Sequence, residues 1–202
     1  EVLGALTELR QEGKIRIAGC SNETCWGVMK SLWTAEKHNV TRYETVQNNF
    51  SVMNRRCENE LAQVCRREGV SLLAYSPLGG GVLTGKYNDG IPADGRFAAY
   101  VDGPPRQRMM AARFLNDRTV ETTRRLGEIA RDLDVPLPAL ALAWSKQHDF
   151  VASTIVGATS VAQLNESLVA SDLVLSEETL DRIDEIEKAI PNPMTEDGLR
   201  RL

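Results

Sequence analysis

Apolar positions recur along this chain in two alternating periods. Val2, Leu6 and Leu9 fall at helical spacing before Gly13, so a helix is expected over residues 2–12. Lys14 to Cys20 then alternates long polar with β-branched residues and reads as a strand. Ser21-Asn22 follows as an expected cap for a helix over 23–38. A shorter strand is expected over Thr45 to Phe50, weakened by its two asparagines. A helix over 57–68, with Leu61, Val64 and Cys65 on one face, ends at Gly69. Val70 to Tyr75 is a third strand. Beyond it the period disappears: Tyr87 to Asp117 reads as a long loop with one short helix near 109–114. Helices are expected again at 120–133 and 138–147. A β-branched strand at 150–156 follows, then a helix capped by Ser160, and finally a helix capped by Ser176 that turns Leu180, Ile183 and Ile186 inward.

This alternation of strand and helix is the fold signal, because strands joined by helices pair in parallel. Four strands are expected, near residues 15, 46, 73 and 153. The residues alone leave a barrel and an open doubly wound sheet both open, although no G-x-G-x-x-G opens a helix after a strand.

One stretch carries candidate chemistry. In Leu72 to Lys86, an apolar run ends at Tyr75-Ser76-Pro77 and runs into Gly79-Gly80-Gly81. Main-chain N–H groups of such a loop can converge on a phosphate, with Ser76 and Thr84 adding hydroxyls and Lys86 a charge; Tyr75 offers a flat face to a planar ring. The same segment also reads as a buried strand followed by a surface turn.

Composition narrows the classes. In 202 residues, a net charge of −4 with no dense Lys/Arg run gives no reason to expect nucleic-acid binding. No apolar run reaches the roughly 18 residues of a membrane helix, and the first residues lack a signal-peptide layout, so a cytoplasmic protein is expected. The chain starts at Glu1 without a Met, which reads as an excised piece or an incomplete sequence. Cys20, Cys25, Cys57 and Cys65 form no C-x-x-C pair and have no histidine at ligand spacing, so no metal site is expected. Cys25 falls in a first helical turn, where the dipole can lower a thiol pKa, although a buried or reduced structural cysteine is the reading preferred.

Four blocks in order, GKIRIAGCSN (13–22), VQNNFSVMNR (46–55), LLAYSPLGGGVLTGKY (72–87) and IVGATSVAQLNES (155–167), resemble the aldo-keto reductase family. The GKYNDGIP run is most similar to the branch of the potassium-channel β subunits and the Tas-type reductases. The resemblance implies an α/β fold of the (β/α)8 TIM-barrel class, of which this chain would cover the second half: strands five to eight within residues 1–190, then a loose polar tail from 191 to 202. It implies NADP(H) as cofactor and reduction of a small-molecule aldehyde or ketone. Ser21, Asn22 and Gln47 would bond the nicotinamide carboxamide, Tyr75 would stack on its ring, and Ser76, Leu78, Gly80 and Lys86 would hold the pyrophosphate. Arg96 would lie near the adenosine phosphates, and Gly157, Thr159, Gln163 and Glu166 at the adenosine end. Ser167 stands where the family usually has Asn. Five of these residues, Ser21, Asn22, Gln47, Tyr75 and Gly157, fall at or just past the expected C-terminal ends of separate strands, which is where (β/α) barrels bind ligands.

The family's catalytic Asp, Tyr, Lys and His come from the early strands and have no counterpart here. His38 and His148 do not substitute. The resemblance therefore implies three alternatives: the cofactor half of a reductase, a non-catalytic NADP(H)-binding regulator like the channel subunits, or an inactive truncated fragment. Open edges and an uncovered inner face would drive self-association.

Overall fold

The computed structural model describes residues 1–195. Nine helices and four strands alternate among them: α1 (Val2–Gln11), β1 (Ala18–Ser21), α2 (Cys25–His38), β2 (Tyr43–Asn49), α3 (Leu61–Glu68), β3 (Ser71–Tyr75), α4 (Ala98–Val101), α5 (Pro105–Phe114), α6 (Asp117–Asp132), α7 (Leu137–Lys146), β4 (Val151–Thr154), α8 (Val161–Leu168) and α9 (Glu177–Ala189). The strands form one parallel sheet in the order β1-β2-β3-β4. Each strand pairs with its sequence neighbour because a helix carries the chain back between them.

Register sorts the strand residues into two faces. Val46, Leu72 and Ala74 are fully buried beneath the helices, α2 against β2, α3 against β3 and α7 against β4. On the other face, Gly19, Ser21, Thr45, Gln47, Ser71, Leu73, Tyr75 and Ser153 are all exposed or half-buried. On that face only Asn49, in register with Tyr75 and bonded by Asn54, is buried, at 6% exposed; the other positions named are open or half-open among the described residues. The core lies on the helical side, with α7 buried from Pro138 to Ser145 and Trp144 packed on Phe50 at 5.1 Å between ring centroids.

Three expectations are corrected. First, β1 is shorter than residues 14–20 suggest. The N–H groups of Gly13 and Lys14 turn back to cap α1 through Arg10 O and Leu9 O, and Ile17 is left 66% exposed. Second, Thr24 caps α2, accepting from the Gly27 N–H at 3.1 Å, rather than Ser21 or Asn22. Third, the segment 87–117 is ordered by aromatic packing. Phe97, 1% exposed, lies 5.4 Å from Tyr87 and 6.0 Å from both Tyr100 and Phe114, and it anchors α4 and α5. Irregular spacing hid this cluster, because its members come from separate short elements and share no period.

The start of the tail is also packed. Met194 is fully buried, its N–H donates to Met53 O at 3.2 Å, and Asn192 accepts from the Arg55 N–H at 2.8 Å. Residues 196–202, the remainder of the expected loose tail, lie outside the described residues. The segment after β2 is tied to the helices by charge. Arg55 bonds Asp184 of α9 at 2.6 Å and Glu58 at 2.9 Å, and lies over the Trp144 ring at 5.0 Å. His148 closes the group, with Nε2 3.3 Å from Glu58 and Nδ1 2.9 Å from Trp144 O.

Two outcomes follow. Gly80 has φ +67°, and a Cβ there would stand 2.8 Å from Phe97 Cζ. Gly80→Ala therefore lowers stability by about 1–3 kcal/mol in denaturant unfolding, through both backbone strain and overpacking. Burial pushes the Glu58 carboxyl up, but hydrogen bonds from His148 and Arg55 outweigh it and hold the group below its ordinary value. A depressed folded pKa stabilises above the ordinary carboxylate pKa and loses that contribution as pH falls through the folded value. Glu58→Gln therefore costs about 1–2 kcal/mol at pH 7, and unfolding midpoints of the two proteins converge on acidification below about pH 4. Glu187, raised chiefly by burial, adds a slope of opposite sign that both proteins largely share.

Candidate functional site

Four of the expected residues meet at the C-terminal ends of three adjacent strands. Ser21 pairs with Gln47 in register, and Tyr75 pairs with Asn49 one step further on. The Tyr75 hydroxyl donates to Asn22 Oδ1 at 2.6 Å. Asn22 Nδ2 donates to Ser21 Oγ at 3.2 Å, and Ser21 Oγ donates to the Gln47 main-chain oxygen at 3.1 Å. The result is a continuous chain of hydrogen bonds from β3 across the end of β2 to β1. The Gln47 side-chain amide, half-buried on the same face, has no partner among the described residues.

The backbone is bent to make this possible. Asn22 and Ser76, the residues directly after β1 and β3, both have positive φ, 56° and 53°. Left-handed conformations cost non-glycine residues about 1–3 kcal/mol unless their surroundings hold them. Asn22 is held by its N–H, which donates to Gln47 O at 3.0 Å. The turn that follows is held by Asn48, 5% exposed, whose Oδ1 accepts from the Glu23 N–H at 3.1 Å and whose Nδ2 donates to Glu23 O at 2.9 Å. Sequence reasoning counted this asparagine against the strand. A polar side chain at an inward strand position, where a hydrophobe is expected, was the available signal for its role.

The glycine turn lies beside this chain and differs from expectation in detail. The Gly79 and Gly81 N–H groups donate to Ser76 O and Leu78 O, both at 2.9 Å, so they close the turn itself. The Thr84 hydroxyl is likewise committed, donating to Gly81 O at 2.8 Å. What the turn leaves open is the Ser76 hydroxyl and the exposed Lys86. The Lys86 side chain folds back over Gly81, lies 5.2 Å from the Tyr87 ring centroid and has no carboxylate partner among the described residues. Leu78 packs half-buried against the core. Arg96 is exposed and directly precedes Phe97, which packs on Gly80.

The second group stands apart. Gly157 and Thr159, in the turn between β4 and α8, and Gln163 and Glu166, on α8, are all exposed. Ser160 caps α8 by accepting from the Gln163 N–H at 3.3 Å. Gln163 Oε1 accepts from the Thr159 N–H and hydroxyl at 2.9 and 3.1 Å. These bonds stiffen the turn, while Gly157 has no atom within 4 Å of a notional Cβ. Ser167 is turned into its helix, donating to Gln163 O at 2.8 Å, and is 8% exposed. No hydrogen bond joins this group to the first among the described residues.

Cys25 does open α2, but its thiol is held above its ordinary value, first by burial and then by Glu60, as for a structural cysteine rather than one activated by the helix dipole. Among the described residues no cluster of three or more His, Cys, Asp or Glu could hold a metal ion, and no helix is long and apolar enough to cross a membrane.

Polar and aromatic groups at the strand ends, a cation over a glycine turn and a stiffened turn after β4 form a surface suited to a long ligand with a planar polar head and anionic centre. The chain is 39% identical over 194 residues to the Escherichia coli protein tas, covering 96% of this chain and 54% of that protein. It is 35% identical over 179 residues to an aldo-keto reductase of Babesia bovis, covering 84% and 59%. It is 30% identical over 189 residues to a putative voltage-gated potassium channel subunit beta of Schizosaccharomyces pombe, covering 92% and 54%. The chain thus spans about half the length of these relatives. The family model described as "Aldo/keto reductase family" matches residues 1–188, and with this match the chain belongs to the aldo/keto reductase family.

Proposed function

We propose that this chain is the NADP(H)-binding part of a cytoplasmic oxidoreductase that reduces aldehydes or ketones to alcohols, folded as the second half of a (β/α)8 barrel. The observation that carries the reading is the hydrogen-bonded set Tyr75, Asn22, Ser21 and Gln47 at the ends of three neighbouring parallel strands, where (β/α) barrels bind ligands. The donor set fits the group. Asn22 retains one uncommitted N–H and Gln47 a free amide, which together match the acceptor and donor of a carboxamide.

Ser21, Asn22 and Gln47 orient the carboxamide, and the Tyr75 ring covers one face of the nicotinamide so that only the other meets the substrate. Ser76, Leu78, Gly80 and Lys86 flank the pyrophosphate, with Lys86 supplying positive charge. Arg96 approaches the adenosine phosphates, and Gly157, Thr159, Gln163 and Glu166 line the adenosine end. Bound there, the cofactor supplies a hydride to the carbonyl carbon. No residue of this chain is assigned as the proton donor to the carbonyl oxygen.

A second reading, a non-catalytic NADP(H)-binding regulator, is favoured by the likeness to a protein described as a channel subunit beta. NADPH consumption with 4-nitrobenzaldehyde by the full-length protein separates the two: turnover selects the reductase, whereas binding without turnover selects the regulator or an inactive fragment. Titration with NADPH tests both at once, and failure to bind overturns both. No Lys or Arg lies between Lys146 and Arg182, which leaves Arg96 and hydroxyls to distinguish the 2′-phosphate. Arg96→Ala therefore weakens NADPH about tenfold more than NADH; an unchanged ratio removes Arg96 from the site. The uncovered sheet face predicts concentration-dependent association, visible as a shift to larger species in size-exclusion chromatography with light scattering. A monomer at every concentration contradicts it.

A further inference from the structure

We propose that the Tyr75 hydroxyl is a positioning group that fixes which way the Asn22 amide faces, and so which end of a bound carboxamide the site accepts. The inference rests on the dinucleotide reading above and concerns a different part of Tyr75 from the ring that stacks. The two residues are 53 positions apart, Asn22 directly after β1 and Tyr75 at the end of β3, with β2 between strands about 10 Å apart. Their side chains lean together over the end of that strand, closing to 2.6 Å.

The direction of each bond is set by its neighbour. The Ser21 hydroxyl donates to the Gln47 main-chain oxygen at 3.1 Å, which leaves Ser21 Oγ as an acceptor. The Asn22 nitrogen therefore faces Ser21, at 3.2 Å, and the Asn22 oxygen faces Tyr75. An amide rotated by 180° would set Oδ1 against an oxygen whose proton is already committed. The tyrosine hydroxyl can donate or accept, but its 2.6 Å separation from Asn22 is that of an O–H···O bond rather than an N–H···O bond, and so it places the amide oxygen on the same side.

With both constraints in place, Asn22 offers the site one N–H, and its oxygen is engaged. A carboxamide then enters with its oxygen toward Asn22 and its NH₂ toward the free Gln47 amide. Without the hydroxyl only the Ser21 bond orients Asn22, at an exposed position and across a longer distance. The amide then samples both orientations, and one of them opposes the ligand. The backbone does not make up the loss, because the bond from the Asn22 N–H to Gln47 O fixes φ and leaves the side-chain amide free to turn.

Tyr75→Phe keeps the ring and removes only the hydroxyl. Asn22→Gly removes the amide at a position whose φ of +56° glycine adopts without strain. The unsubstituted chain, each variant and the double variant are titrated by calorimetry with NADPH and with 2′-phospho-ADP-ribose, which lacks the nicotinamide. Circular dichroism melting confirms that each is folded. Tyr75→Phe is expected to weaken NADPH about 3- to 10-fold, to leave 2′-phospho-ADP-ribose unchanged, and to have no further effect in the Asn22→Gly background.

Four results overturn the proposal. They are NADPH affinity unchanged in Tyr75→Phe, equal weakening of both ligands, the same loss with and without Asn22, and tighter NADPH binding, which would make the bond a latch the ligand must break. If the unsubstituted chain binds neither ligand, the dinucleotide reading itself falls, and this inference with it. Binding by the unsubstituted chain with no effect of the hydroxyl overturns this inference alone.

Discussion

One buried amide holds the turn on which the candidate site depends. Asn48 lies at the end of β2 with both polar atoms bonded to the main chain of Glu23, across the gap between two strands. Those two bonds leave the chain after β1 little freedom, and beside the Asn22 N–H bond to Gln47 O they support the left-handed conformation from which the Asn22 side chain reaches Tyr75. Each bond contributes only about 1 kcal/mol net. Their geometric effect is larger, because an unmade bond at a buried amide would cost more than the made one contributes.

The sheet gives this turn its context. Parallel pairing in sequence order brings the C-terminal ends of β1, β2 and β3 side by side, and alternation along each strand sends Val46 and Leu72 to the helices while Ser21, Gln47 and Tyr75 take the other face. That face is polar at the strand ends and open among the described residues. Such a face is a poor surface on which to end a fold, and a good one on which to hold a polar planar ligand.

Stability is concentrated on the other side. The ionic group of Arg55, Glu58, Asp184 and His148 joins the segment after β2 to α7 and α9, and Trp144 and Phe50 fill the space beneath it. The Phe97 cluster does the same for the long segment after β3, and its contact with Gly80 shapes the turn that Lys86 covers. Stiffness behind the site is what lets exposed groups such as Asn22 keep a defined direction.

Period and punctuation in the sequence were enough to place four strands between helices, and the motif blocks were enough to name the family to which the chain belongs. Both signals are local: a two-residue period, a glycine stop, or a run such as SPLGGGVLTGK depends on neighbours in the chain. The aromatic order of 87–117, the capping of α2 by Thr24 and the role of Asn48 were not legible. Each depends on atoms brought together from distant positions, where linear spacing carries no information. Even within the legible stretch, the sequence could show glycines suited to a phosphate turn but not that the Gly79 and Gly81 N–H groups would close the turn on itself. Residue types determined which groups were available to the site, and the tertiary structure decided which of their donors and acceptors remained free.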